Sequence, residues 1–215
     1  MKRLKEEFVQ KVNNIVALAG LNALEVGCGQ GGRSIPIAEN VKSLVAIDPN
    51  PESIHEAKKL SQRPNIIYQI AAAENLPFEN QRFDVVFFTL SLHHVPPESM
   101  PQAINEAIRV TKTGGWIVFL EAGNHGTFLK TEELYGAGDG DERWVKALAY
   151  AAMLHAHGMK EIAEIWDETI FQFDSLEDFL DYMGPKGDTE KLRVFLEEQK
   201  FILRAERRIN IFQVS

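Results

Sequence analysis

Short continuous apolar runs alternate with stretches of helical spacing over the first 120 or so residues. Ala23–Val26, Ser43–Asp48, Asn65 to about Ala71, Phe83–Thr89 and Trp116–Glu121 read as strands, and Ser43–Asp48 is a near-continuous apolar run of the kind buried on both faces of a parallel sheet. Between them Gly31–Glu39, the stretch from Pro51 through Leu60, and Pro97–Val110 read as helices; Pro36 shortens the first, and Asn50 caps the second ahead of Pro51. Upstream, Leu4, Phe8, Val12, Ile15, Val16 and Ala19 fall at helical spacing before Gly20 and predict a helix over residues 4–19. The turn Thr113–Gly114–Gly115 precedes the fifth strand.

Past Gly123 the rhythm changes. Gly136–Asp141 is turn-rich, and Asp141 opens an apolar helix that ends at Gly158. Glu161–Phe173 has the composition of a strand, Ser175–Met183 and Thr189–Gln199 are helical, with a break at 184–188, and Ile202–Val214 closes as a strand. The last two strands lack a normal crossover helix and are expected to pair antiparallel. The pattern predicts an α/β fold: a doubly wound, Rossmann-like, seven-stranded mixed sheet, mostly parallel, with an antiparallel C-terminal strand pair.

A chain of 215 residues suits a single domain over 1–215, with a core at 21–122 and rim or lid elements at about 123–199. Thirty-one acidic against 23 basic residues give a net charge of −8, which argues against nucleic acid as a partner. Arg204, Arg207 and Arg208 read as a solvated strand rim. The single cysteine, Cys28, excludes an intramolecular disulfide and fits a reducing cytoplasm. The first residues, Met1–Glu7, carry acids where a signal peptide needs an apolar core, and no apolar window is long enough to span a bilayer; the expectation is a cytoplasmic protein without membrane insertion.

The candidate chemistry sits at Ala23–Leu24–Glu25–Val26–Gly27–Cys28–Gly29–Gln30–Gly31–Gly32, four glycines within six positions at a strand-to-helix turn. Glycines there permit positive φ and let a ligand lie against the backbone, while the next helix turns its free N–H groups toward it. Asp48, at the tip of the neighbouring strand, is placed to accept hydrogen bonds from a ribose. Two spacings fit: Gly27, Gly29 and Gly32 make the dinucleotide pattern, and Gly27, Gly29 and Gly31 make E-x-G-x-G-x-G with Glu25.

Further blocks separate the two. Val45–Ala46–Ile47–Asp48, Ala73–Glu74–Asn75–Leu76–Pro77–Phe78, Phe83–Asp84–Val85–Val86 with Leu92–His93–His94–Val95, and Glu106, Arg109 and Val110 before Thr113–Gly114–Gly115 follow the glycine loop in order. Over residues 23 to about 121 the chain resembles class I S-adenosylmethionine-dependent methyltransferases, in particular the small-molecule group that includes the ubiquinone/menaquinone-biosynthesis C-methyltransferases. The resemblance implies S-adenosyl-L-methionine as cofactor and methyl transfer to a small-molecule acceptor, in which positioning and desolvation supply much of the catalysis. By it, Gly27, Cys28 and Gly29, with Gly31 in the same pattern, approach the cofactor by their backbones. Asp48 holds the ribose, Pro49 lies against the adenine, Ala73 and Glu74 border its edge, and Thr89 and Leu90 offer backbone to the methionine part. Glu25 acts on the site directly or through a neighbour. One departure is Ala72, where the family often carries an Asp that accepts from the adenine amino group; the missing contact costs on the order of 1 kcal/mol unless backbone replaces it.

An NAD-dependent oxidoreductase would account for Gly27, Gly29, Gly32 and Asp48, but not for the Glu74–Leu76–Pro77 loop, and no Tyr-x-x-x-Lys pair accompanies it. A non-catalytic S-adenosylmethionine-binding protein is the other alternative. Of the adjacent histidines, His93 is read as packing beneath its loop, and His94 as the candidate catalytic base or as a residue that shapes the mouth of the site. No metal site is expected, since no further ligand stands at helpful spacing from the pair. Cys28 reads as a small loop residue and Asp84 as structural. Glu121, His125 and the 135–183 region are candidates for acceptor contact without assigned roles, the helix after the Gly-rich hinge standing where a lid would be.

Overall fold

The computed structural model describes residues 1–184 and 188–215. Eight strands lie among the described residues: β1 (Lys2–Lys5), β2 (Asn22–Val26), β3 (Ser43–Asp48), β4 (Ile66–Ile70), β5 (Phe83–Thr89), β6 (Thr111–Ala122), β7 (Met159–Gln172) and β8 (Ile202–Val214). Their order in the sheet is β1-β7-β8-β6-β5-β2-β3-β4. The α-helices are α1 (Phe8–Asn13), α2 (Ser34–Ala38), α3 (Pro51–Leu60), α4 (Met100–Val110), α5 (Thr127–Tyr135), α6 (Arg143–His155), α7 (Leu176–Met183) and α8 (Thr189–Glu198). The chain divides into two compact units: Phe8–Glu121, Val145–Ile165 and Ile209–Ser215 make the larger, and Met1–Glu7, Ala122–Trp144 and Trp166–Arg208 the smaller.

In the larger unit β2 pairs in parallel with β3 and β5, β3 with β4, and β5 with β6. The chain winds outward from β2 to β4, then restarts at β5 on the other side, so the order reverses between β2 and β5. Alternate residues of each strand point to opposite faces. Leu24, Val26, Val86, Phe88, Ile117 and Phe119 pack in one apolar layer, and Ala23, Val85, Phe87, Val118 and Leu120 in another. Helix α4 covers the first layer with Met100, Ala103, Ile104, Ala107 and Val110, at helical spacing. Burying each of the larger ones, Met100, Ile104 and Val110, stabilises by about 1.5–3 kcal/mol relative to exposure. Helix α3 begins as expected: the Asn50 side chain accepts from the amides of Glu52 (2.8 Å) and Ser53 (3.4 Å).

The smaller unit has its own apolar cluster around Phe171, Phe173, Phe179, Leu192, Leu196 and Leu203. There α7 is capped by Ser175 and α8 by Asp188, whose side chains accept from helix-start amides. Arg207, expected on a solvated strand rim, is instead buried, its guanidinium between the carboxylates of Asp167 and Glu6.

Three further expectations are corrected. The helix expected over 4–19 is β1, paired antiparallel with β7 (Arg3 opposite Phe171), followed by the short α1. Leu4 and Ile15, two members of the supposed apolar stripe, are exposed, so only Phe8, Val12 and Val16 had a core to face. The extra strand makes the sheet eight-stranded rather than seven-stranded. Helix α5 had no place in the sequence reading. The strand expected from Trp116 is joined to the preceding turn: the register jumps from Phe83–Thr111 to Val85–Trp116, which loops 112–115 out of the ladder. Hydrogen bonds from Phe173 N to Phe201 O (2.9 Å) and from Ser215 N to Gly158 O (3.0 Å) run in the antiparallel sense expected of the last two strands. Residues 185–187 of the expected break at 184–188 lie outside the described residues.

Candidate functional site

The loops after β2, β3, β4 and β5 leave the same, carboxyl edge of the larger unit's sheet, at the point where strand order reverses. Open α/β sheets bind ligands in that crevice. All the residues proposed from sequence for a cofactor lie on these loops or strand ends.

The glycine loop is held by its neighbours. The amides of Gly27 and Cys28 both donate to Ile47 O, at 2.8 and 2.9 Å. Gly27 has φ +74°, and a Cβ there would stand 2.3 Å from the Ser91 Cβ. Ser91 in turn donates its hydroxyl to Val26 O at 2.6 Å. Gly31 has φ +82°, and its Cβ would stand 2.8 Å from the Tyr68 hydroxyl. Gly29 has φ +53° with nothing within 4 Å of a Cβ, so its exposed side is open. Gly32 is not among the positive-φ glycines. The backbone therefore singles out Gly27, Gly29 and Gly31, the spacing that includes Glu25, over the dinucleotide set.

Asp48 closes the loop from the side. Its Oδ2 accepts from the Gly29 amide at 2.8 Å and its Oδ1 from the Asn50 amide at 2.9 Å. A carboxylate offers about four acceptor positions, so capacity remains on both oxygens for ligand hydroxyls. Pro49, next along, is exposed. A cleft of about 520 Å³ opens nearby, lined by Gln30, Asn50, Pro51, Ser53 and Glu56 among others.

Glu25 is fully buried. One carboxylate oxygen accepts from the Ser34 hydroxyl and the other from the Thr89 hydroxyl at 2.7 Å. Burial pushes its carboxyl above the usual range, with the Ser34 and Thr89 bonds and the nearby Arg33 opposing the shift. The acid thus ties the start of α2 and the end of β5 to β2, and the Thr89 hydroxyl is committed to Glu25. Leu90 has φ +58° and donates its amide to Leu120 O at 2.7 Å. An apolar residue in that region is strained, a feature that clusters at functional sites. Burial, reinforced by the Glu25 and Asp48 charges, pushes the Cys28 thiol well up, which removes it as a nucleophile.

Ala73 is buried and Glu74 half-buried on the loop after β4, which joins the site through Ala71 N donating to Asp48 O at 3.2 Å. Ala72 is built into a turn there, its carbonyl accepting from Asn75 N at 3.3 Å.

The two histidines differ in burial. His93 is buried, with Nδ1 hydrogen-bonded to Glu121, whose other oxygen accepts from Leu92 N at 3.1 Å. His94 is exposed, its ring centroid 4.2 Å from that of His93. Ser34, Ser91 and the bond between Glu121 and His93 were missed in the sequence. Small hydroxyl residues carry no pattern, and their roles arise from strand pairings between distant segments.

Comparison with known proteins agrees with this geometry. Residues 24–119 match the methyltransferase domain family. A phthiotriol/phenolphthiotriol dimycocerosates methyltransferase of Mycobacterium leprae is 35% identical over 108 residues, 49% of this chain and 39% of the relative. A ubiquinone/menaquinone biosynthesis C-methyltransferase of Rickettsia bellii is 33% identical over 132 residues, 56% of this chain and 51% of the relative. The match thus spans about half or less of these relatives' length. Among solved structures, an SAM-dependent methyltransferase from Methanosarcina mazei shares the fold with a TM-score of 0.61 at 18% identity, covering 95% of this chain and 96% of that one. Among the described residues no helix is long and apolar enough to cross a membrane.

Proposed function

We propose that this chain, whose residues 24–119 match the methyltransferase domain family, transfers a methyl group from S-adenosylmethionine to a small-molecule acceptor. The observation that carries the reading is the loop Gly27–Gly31, with three positive-φ glycines and the Gly29 amide on the Asp48 carboxylate. These residues fit the cofactor: the open side of Gly29 lets a ligand reach the backbone, and Asp48 keeps acceptor capacity for two ribose hydroxyls. When bound, S-adenosylmethionine supplies a methyl group on a positively charged sulfur.

The roles of the chain's own residues follow. Gly27, Cys28 and Gly29 present backbone to the ligand, and Gly31 lets α2 start close against Tyr68. Asp48 holds the ribose, exposed Pro49 offers an adenine contact, and Ala73 and Glu74 border the adenine edge. Glu25 acts through Ser34 and Thr89 rather than on the ligand, because its carboxylate is fully buried against their hydroxyls. Thr89 and Leu90 place the end of β5 beside the methionine part. His94, on the exposed side of the pair, takes the acceptor's proton where the acceptor is not already ionised, and His93, anchored on Glu121, braces its ring. The acidic net charge supports a small-molecule rather than a nucleic-acid acceptor, and the single buried thiol suits a reducing cytoplasm.

Calorimetric titration with S-adenosylhomocysteine and with NAD tests the reading. The protein is expected to bind S-adenosylhomocysteine, and preferential NAD binding would sink the proposal. Asp48→Ala should weaken S-adenosylhomocysteine by about tenfold or more, since a hydrogen bond to a charged acceptor contributes roughly 1.5–3 kcal/mol. An unchanged dissociation constant would remove Asp48 from the site.

A further inference from the structure

Helix α4 turns its apolar face to the core and a second, polar stripe to the loop after β4. Gln102, Glu106 and Arg109 fall four and three residues apart, on one face of the helix. Each of them grips loop backbone. Gln102 Nε2 donates to Glu74 O at 2.9 Å. Glu106 Oε2 accepts from Leu76 N at 2.8 Å. Arg109 donates from Nη2 to Leu76 O at 3.0 Å, and from Nη1 to Phe78 O and Asn80 Oδ1, both at 2.8 Å. Glu106 and Arg109 also bind each other, through Nε at 2.7 Å and Nη2 at 2.8 Å, which fixes the guanidinium fork in place. The loop has no strand ladder between β4 and β5, yet it buries Ala73, Leu76 and Phe78. Gln102, Glu106 and Arg109 thus tie its backbone to α4 at Glu74, Leu76 and Phe78.

Ala72 offers no side-chain acceptor, so the adenine edge can be read at 72–73 only by backbone groups. A backbone reads a ligand only as well as it is held, because a displacement near 1 Å breaks a hydrogen bond that a flexible side chain could follow.

We propose that Gln102, Glu106 and Arg109 form a splint that sets the adenine-bordering segment 72–74, making them positioning residues for the adenosine end of the cofactor. The proposal rests on the methyltransferase reading above. Arg109 carries most of the effect, since its planar fork holds two loop carbonyls at once and a lysine ammonium does not reproduce that geometry.

The test is calorimetry on the full chain with two probes, S-adenosylhomocysteine and 5′-methylthioadenosine, which share adenine and ribose. Arg109→Ala should raise both dissociation constants by a similar factor, about tenfold, at unchanged stoichiometry. Arg109→Lys should recover only part of the loss. Gln102→Ala, at an exposed position whose removal leaves the core intact, should weaken both probes by a factor of about three, and it keeps the test decisive if Arg109→Ala does not fold. Asp84→Asn, which removes a clamp at the opposite end of the strands, should lower stability and leave both constants unchanged. A purely structural role for the stripe would lower stability in the same way but leave the constants of the folded protein alone, and that result overturns the proposal. Loss for S-adenosylhomocysteine without loss for 5′-methylthioadenosine overturns it too, since the defect would then lie at the amino-acid end. If the unmutated protein binds neither probe, the cofactor reading itself falls, and this proposal falls with it.

Discussion

Gly27 and Gly29 differ in what a methyl group would meet. At Gly27 it would stand 2.3 Å from the Ser91 Cβ, and at Gly29 it would meet nothing within 4 Å. Both have positive φ, which costs an L-residue about 1–2 kcal/mol. Gly27→Ala adds an overlap of a kind that costs about 1–3 kcal/mol, and it displaces the Ser91 hydroxyl from Val26 O. Thermal unfolding should therefore show a clear fall in Tm for Gly27→Ala and a smaller one for Gly29→Ala. Gly29→Ala should instead lose S-adenosylhomocysteine affinity, because its methyl occupies the side left for the ligand. If Gly29→Ala bound as tightly as the unmutated protein, the ligand would not approach there. The sequence shows that this turn needs glycine, but two spacings satisfy it equally. Only the backbone angles separate Gly31 from Gly32, and only the pairing of β2 with β5 brings Ser91 and Thr89 against the loop. Glu25 is legible as a candidate site residue, while its bonds to the hydroxyls of Ser34 and Thr89 are not.

Strands β2, β3 and β5 were legible almost to the residue because they are buried on both faces, and a continuous apolar run bounded by turn residues has few other uses. Elements with one buried face were harder. Strand β1 has exposed Leu4 and pairs with β7 from the far end of the chain, so nothing local announces it. Helix α5 buries only Leu129 and Thr131, too little for a periodic signal, although Gly136 in the left-handed conformation marks its end and could have been used. Between elements, one polar cluster ties the amino ends of the strands: Asp84 accepts from Asn22 N at 2.8 Å, from Asn22 Nδ2 at 3.1 Å and from Lys112 Nζ at 2.6 Å. Burial alone would raise the Asp84 carboxyl, but the bonds from Lys112 and Asn22 outweigh it and hold the group below its ordinary value. A carboxyl lowered in the folded state contributes stability that is present above its unfolded value and is lost as pH falls through the folded one. Denaturant unfolding followed downward from neutral pH should show Asp84→Asn less stable than the unmutated protein at neutral pH. The gap should narrow below the ordinary aspartate range. A gap independent of pH would mean that the clamp does not depend on the charge.

At the scale of the molecule, the candidate cofactor residues all lie in the larger of the two units, and a ligand that binds only the folded state stabilises what it binds. With S-adenosylhomocysteine at a hundredfold excess over its dissociation constant the gain is about 2.7 kcal/mol. For a chain of 150–250 residues that amounts to a rise of about 5–10 °C in Tm. The form of the melt adds information that a titration lacks. If the units unfold as one, the whole transition moves. If they unfold separately, only the transition of the unit holding Gly27–Gly31 and Asp48 moves, and the cluster around Phe171, Phe179 and Leu196 melts where it did without ligand. Combining the melt with Asp48→Ala locates the effect: the variant should keep its own transition and lose most of the ligand-induced rise. A rise that survives in Asp48→Ala would place the ligand elsewhere on the chain, and a rise with NAD in place of S-adenosylhomocysteine would return the glycine loop to the dinucleotide reading that its spacing first allowed.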